Sequence, residues 1–123
     1  MRYIILLKGT TPAGPPPQSL MSAIMQLGAE ATAAGAMIDN AGLAPSTKGA
    51  RVTLTGGHLG VVDGPFTEAK EFISYAIYEV RSKDEAVEWA SRFMRLHAEH
   101  WPGWEGESDV LKIMGPEDFA PQS

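Results

Sequence analysis

Few side chains in this 123-residue chain could do chemistry. Asp63 is the acid inside the turn Asp63-Gly64-Pro65-Phe66. Its carboxylate could act as a catalytic base or anchor a ligand at the mouth of a pocket. It could also do no more than bond the backbone of the Gly-Pro turn behind it, a common duty of Asp. His58 does not complete a dyad with it. Strand side chains alternate, so positions 58 and 63 point to opposite faces, and His58 is expected in solvent at a hairpin tip. His97 and His100 lie three apart near the end of a helix, a spacing that could place two imidazoles on one metal ion. No third ligand stands at motif spacing, although Glu99 and Glu105 are near. The plainer reading puts both in the last turn, where histidine suits the negative end of the helix dipole and packs on Trp101 or Trp104. No metal site is therefore assigned. Lys70, between Glu68 and Glu71, belongs to a solvated turn or supplies a charge that keeps Asp63 ionised. Asp63, Phe66 and Lys70 are the candidate ligand-binding residues, and Asp63 is the candidate catalytic one.

Several chemistries have no residues to carry them. The chain has no cysteine, which removes disulfides, thiolate catalysis and cysteine metal sites. It has no Gly-rich phosphate loop, Gly-x-Ser-x-Gly elbow or His-Glu-x-x-His motif, so no cofactor is implied. A net charge of −5 without a Lys/Arg cluster argues against a nucleic-acid surface. The apolar run behind Arg2 stops at Lys8, too short for a signal peptide or a membrane span. The expectation is a cytoplasmic protein with no nucleic-acid or membrane partner. Apolar content of 44% with 20% charged residues is ordinary globular composition.

The elements that must position these residues follow from periodicity and punctuation. Tyr3 to Lys8 reads as a strand ending at Gly9, and Thr10 to Pro17, with its prolines, as a loop. Leu20, Ile24, Leu27 and Ala31 recur at helical spacing, so Ser19 to Ala34 is a helix closed by Gly35. A second strand spans Ala36 to Leu43, interrupted by the turn-prone Asp39-Asn40. Gly56-Gly57 joins Arg51–Thr55 to His58–Asp63 as a two-residue hairpin, which pairs Thr55 with His58 and Ala50 with Asp63. Thr67 can cap one helical turn before the strand Phe72 to Val80. Ser82-Lys83-Asp84-Glu85 is a capping box opening a second helix that must end by Pro102. On that helix Trp89, Ala90, Phe93, Met94 and His97 share a face, and Glu88 and Arg92 are spaced for an i,i+4 pair on the other. Val110 to Met114 makes the last strand. The order is that of an α+β domain, a ferredoxin-like antiparallel sheet with two helices on one face and an inserted β-hairpin. It forms one domain over residues 1–114, with a polar tail at 115–123.

The stretch from Asp63 to Glu71 and the β-rich run Phe72 to Val80 resemble the signature of DGPF-domain proteins in the YCII-related group. Gly42-Leu43-Ala44-Pro45-Ser46, Gly49-Ala50-Arg51-Val52 and His100-Trp101-Pro102-Gly103-Trp104-Glu105-Gly106-Glu107 resemble it as well. The resemblance covers roughly Met1 to Met114. It implies a dimeric α+β barrel. It also implies a link to extracytoplasmic-function sigma factors, beside which such proteins are often encoded. The wider group pairs a His near the start of the first helix with an Asp, from which hydrolase- or lyase-like chemistry is inferred. Here that region reads Pro15-Pro16-Pro17-Gln18-Ser19 and no histidine precedes His58, so the mechanism does not carry over.

The strands call for a partner. Two helices cover one face of an antiparallel sheet, and the other face should then be polar. In the first strand, however, Tyr3, Ile5 and Leu7 oppose Ile4 and Leu6. In the fifth, Ile73, Tyr75 and Ile77 oppose Phe72, Ala76, Tyr78 and Val80. Such a face exceeds what a soluble monomer usually exposes, so a homodimer with sheets face to face is expected. Asp63 lies in one row with Leu59 and Val61, opposite the small Ala50 and close to Phe66, which makes a pocket at the dimer cleft. Two functions fit. One is a small enzyme acting on an organic acid or ring compound with Asp63 as base. The other is a non-catalytic ligand-binding or regulatory module.

Overall fold

The computed structural model describes residues 1–10 and 14–119; residues 11–13 of the expected proline-rich loop and 120–123 of the expected tail lie outside it. The elements run β1 (Arg2–Gly9), α1 (Gln18–Ala33), β2 (Met37–Gly42), a 3-10 turn (Ser46–Lys48), β3 (Ala50–Thr55) and β4 (His58–Asp63). They continue with β5 (Glu71–Glu79), α2 (Lys83–His100), β6 (Gly106–Lys112) and a 3-10 turn at Pro116–Asp118. Four strands form one antiparallel sheet in the order β2-β5-β1-β6, and β3-β4 is a separate two-stranded ribbon. This is the expected α+β ferredoxin-like arrangement with an inserted hairpin. No helix among the described residues is long and apolar enough to cross a membrane.

Alternation along β1 sets up the two faces. Tyr3, Ile5 and Leu7 are buried beneath the helices, while Ile4, Leu6 and Lys8 look the other way. The helices close on the sheet through small residues. Ala31 of α1 and Ala86 and Ala90 of α2 are buried with Tyr3, Ile5, Ala36, Tyr78 and Val80. Ser82 caps α2 as expected, its hydroxyl accepting from Glu85 N–H at 3.1 Å, and the Glu85 carboxylate in turn accepts from Arg81 N–H. The two helices are also tied on the outside. Arg92 reaches Glu30 on α1 at 2.6 Å and lies over the Trp89 ring at 4.8 Å. The Glu88–Arg92 pair that the spacing allowed is not made, and Glu88 meets Arg95 instead at 3.7 Å.

Four local expectations differ. Thr67 caps no helical turn, since residues 64–70 are irregular, and the one turn of helix in this region is Ser46–Lys48, expected as loop. β6 starts at Gly106, four residues ahead of the expected Val110, because the whole of β1 is available to pair it. In β2 the ladder slips between Met37 and Asp39, ahead of the Asp-Asn pair rather than at it. In β5 the register with β1 shifts between Leu7 and Lys8, so that Lys8 faces Phe72 and not Ile73. That bulge moves Phe72 onto the same face as Tyr75 and Ile77, against the simple alternation.

The sheet face away from the helices carries Ile4, Leu6, Ile77 and Leu111 at its centre. Lys8 and Asp109, paired at 2.7 Å, and Tyr75, whose hydroxyl donates to Asp39 at 3.0 Å, fringe it. The hairpin shows the same imbalance more strongly. Val52 faces Val61 and Leu54 faces Leu59 across the ribbon, giving it one apolar side that ends at the Ala50–Asp63 pair. All four are between 66% and 76% exposed.

Candidate functional site

The signature turn is built into the root of the hairpin. Ala50 pairs with Asp63 and Thr55 with His58, the register that a two-residue Gly56-Gly57 turn requires, and both glycines have positive φ. Gly64 then packs directly onto the Ser46 carbonyl, where a Cβ would overlap that oxygen. Gly64 N–H donates to Gly49 O at 2.9 Å and Phe66 N–H donates to Ser46 Oγ at 2.9 Å. Ser46 N–H donates to Glu71 Oε1 at 2.7 Å. The motif segments around Ser46, Gly49 and Gly64 thus meet in one knot, with backbone N–H donors bonding the Gly49 carbonyl and the Ser46 and Glu71 side chains.

The side chains singled out in the sequence fall around this knot. Asp63 is exposed at the end of β4, as is His58 at the tip. The Phe66 ring is half-buried under the Arg51 guanidinium, 4.1 Å from its centroid. Arg51 also bonds Glu68 and holds that carboxyl below its ordinary range. Lys70 turns to Glu107 of β6 at 3.0 Å, so its charge is matched there. Asp63, Phe66 and Lys70 all lie outside the aromatic-walled cavity of the protomer.

That cavity, about 530 Å³, opens between the helices and the sheet, at the end where β1 finishes and α1 begins. It is within the range of small-molecule sites. Leu20, Ile24, Met25 and Gly28 of α1 form one wall. Trp89, Phe93 and His97 of α2, with Trp101 and Trp104 behind it, form another, so all three tryptophans of the chain border it. Leu7, Gly9, Ser74 and Ala76 of the sheet lie beneath. Glu71, Asn40, Thr10, Ser74, Tyr75 and Tyr78 bring polar groups to the lining, and no Lys, Arg or Asp does so among the described residues.

Two glycines place the innermost indole. Gly9 and Gly106 face each other on β1 and β6, and Trp104 lies over both. A Cβ on Gly9 would come within 2.9 Å of Trp104 Cζ2, and one on Gly106 would meet the same ring still more closely. Gly103, at φ +87°, makes the turn that brings the indole back over the sheet. Trp101 stacks on Trp104 at 6.0 Å and His97 at 4.6 Å. Trp104 Nε1 is buried with no hydrogen-bond partner among the described residues.

His97 is the one buried polar residue among those described, 5% exposed. Phe93 meets the ring edge-on at 4.8 Å, and Nδ1 lies 2.9 Å from the Phe93 carbonyl. A carbonyl only accepts, so Nδ1 carries the proton and Nε2 is left as an acceptor. Burial pushes the imidazole below its ordinary pKa, and the Phe93 carbonyl offsets this in part. His100 is half-buried, and no cluster of three metal-ligating side chains occurs among the described residues.

The sequence pointed to the packing of His97 on Trp104 but not to a cavity. Its signal was the run His97 to Gly106, with two tryptophans, two histidines and two glycines within ten positions. A family model described as the YCII-related domain matches residues 1–101. No curated protein matches the chain.

Proposed function

Because the chain belongs to the YCII-related family, whose description names a domain and no reaction, we propose that it binds a small, largely apolar molecule. The observation that carries this reading is the aromatic-walled cavity beneath the helices. Met21 and Met25, both exposed, flank it on α1, and methionine adapts readily to varied apolar ligands. Binding is favoured over turnover. A histidine base is usually oriented by a carboxylate that stabilises its imidazolium, whereas His97 is oriented by a neutral carbonyl and desolvated. The non-catalytic module is therefore the better supported of the two functions. Its placement in a sigma-factor pathway would make the bound molecule a signal.

The test uses Gly28, which lines the cavity and whose added Cβ would meet nothing within 4 Å. A phenylalanine there projects into the space without crowding the helix. Nile red should brighten on titration into the wild-type protein and respond several-fold less with Gly28→Phe. An equal response in both would overturn the reading.

The protein is further proposed to act as a homodimer. The apolar side of the hairpin and the open sheet face each need cover, and a second copy offers both at once. Asp63 shares the side of β4 that carries Leu59 and Val61, so it would stand at the boundary between copies. With Phe66 and Lys70 beside the same hairpin root, it is a second candidate anchor for a ligand, catalytic only if that ligand is turned over there. Asp63→Asn separates the two locations. It should leave Nile red binding in the helix-side cavity unchanged.

A further inference from the structure

The polar groups at the inner wall of the cavity are matched to a particular kind of ligand. His97 offers Nε2 as an acceptor, because Nδ1 is committed to Phe93. Trp104 Nε1–H, on the ring packed against it, is a donor with no partner among the described residues. A buried polar group without a partner is uncommon enough to require an explanation. A ligand hydroxyl in the cavity can donate its proton to His97 Nε2 and still keep lone pairs with which to accept. Thr10, Asn40, Ser74, Tyr75 and Tyr78 also line the cavity. Most of its wall is aromatic and aliphatic, with Trp89, Phe93 and Trp101 on one side and Leu20, Ile24 and Met25 on another. Flat rings gain from such walls through stacked and edge-on contacts.

Charge narrows the choice. Glu71 is the charged residue in the lining, and its carboxylate stands beside Ser46 N–H at the knot. An anionic ligand would lose its hydration here and find no cation among the described lining residues in return. Resting on the reading that this cavity is a binding site, we infer that its ligand is an uncharged ring compound bearing a hydroxyl group that donates to His97 Nε2. Of the organic acid and the ring compound that the sequence left open, this favours the ring.

Three naphthalene probes test the inference by calorimetric titration of the full chain. 1-Naphthol has the hydroxyl, 1-methoxynaphthalene keeps the oxygen without its proton, and 1-naphthoate carries a negative charge. The expected order is naphthol tightest, methoxynaphthalene about three- to tenfold weaker, as befits one net hydrogen bond, and naphthoate weakest. In His97→Phe the gap between the first two should close. Should that variant not fold, the order in the wild-type protein decides alone. Equal binding of naphthol and methoxynaphthalene, lost in Gly28→Phe, would overturn the hydroxyl inference and leave the cavity reading standing. Tighter binding of naphthoate would overturn the inference as well. Binding of none of the three would remove both.

Discussion

The His97 imidazole and the Trp104 indole lie 4.6 Å apart, centre to centre, at an angle of 33°. One ring comes from the last turns of α2 and the other from the loop before β6, so their contact closes the helix onto the sheet. A polar ring held this way is desolvated, and its protonation becomes linked to folding.

That linkage fixes a pH dependence. His97 has its folded pKa depressed from the ordinary 6.5, by burial first, with the Phe93 carbonyl opposing. The unfolded chain therefore takes up the proton more readily than the folded one. The stabilisation is complete above the unfolded value and is lost as pH falls below about 6.5 towards and through the folded value. Urea titrations between pH 8 and 5 should show stability falling in this window, and the fall should be smaller in His97→Phe.

Gly106→Ala tests the slot that holds Trp104. The new methyl would overlap the indole, on which Trp101 is stacked, and would come within 2.6 Å of the Lys8 carbonyl oxygen. A loss of about 1–3 kcal/mol is expected from overpacking. A red shift of tryptophan emission should accompany it as the ring moves towards water.

Gly64→Ala tests the knot. Its Cβ would overlap the Ser46 carbonyl, so the turn must part from the 3-10 segment and release Phe66 N–H from Ser46 Oγ. A destabilisation of about 1–3 kcal/mol is expected, with amide exchange rising first at Gly49, Gly64 and Phe66. Asp63→Ala, by contrast, should cost under about 0.5 kcal/mol in the isolated protomer, since its side chain is exposed.

The dimer is tested by a charge on the apolar side of the ribbon. Val61, 69% exposed in the protomer, faces Val52. If a second copy covers it, Val61→Asp should shift sedimentation at micromolar concentration from dimer to monomer. Wild-type protein sedimenting as a monomer would contradict the proposal outright.

Much of the scaffold was legible because its signals are local. Period-two alternation from Tyr3 to Leu7 separated the two faces of β1, Gly56-Gly57 set the hairpin register, and Ser82 with Glu85 marked the start of α2. The Leu7/Lys8 bulge was not legible, since one inserted residue leaves no mark on composition yet turns Phe72 to the other face. The early start of β6 was missed because Gly106-Glu107-Ser108-Asp109 has weak strand propensity, and pairing with β1 overrides it. The cavity is the least local feature. Its walls come from α1, the middle of β5, α2 and the Trp101–Trp104 loop, and only the sheet order brings them together. The Asp-Gly-Pro-Phe signature drew attention to Asp63, whereas the bonds it makes in the protomer run through the backbones of Gly64 and Phe66.

Occupancy of the cavity is read directly in a nitrogen–proton correlation spectrum of the labelled protein titrated with 1-naphthol. Its three indole resonances belong to Trp89, Trp101 and Trp104, all of which border the cavity. Saturable shifts are expected at these indoles, largest at Trp104, and at the amides of Met25 and Gly28, while Thr53 to Gly60 in the hairpin stay still. Shifts confined to the hairpin or to the open sheet face, with the indoles unmoved at saturating probe, would contradict binding in the cavity.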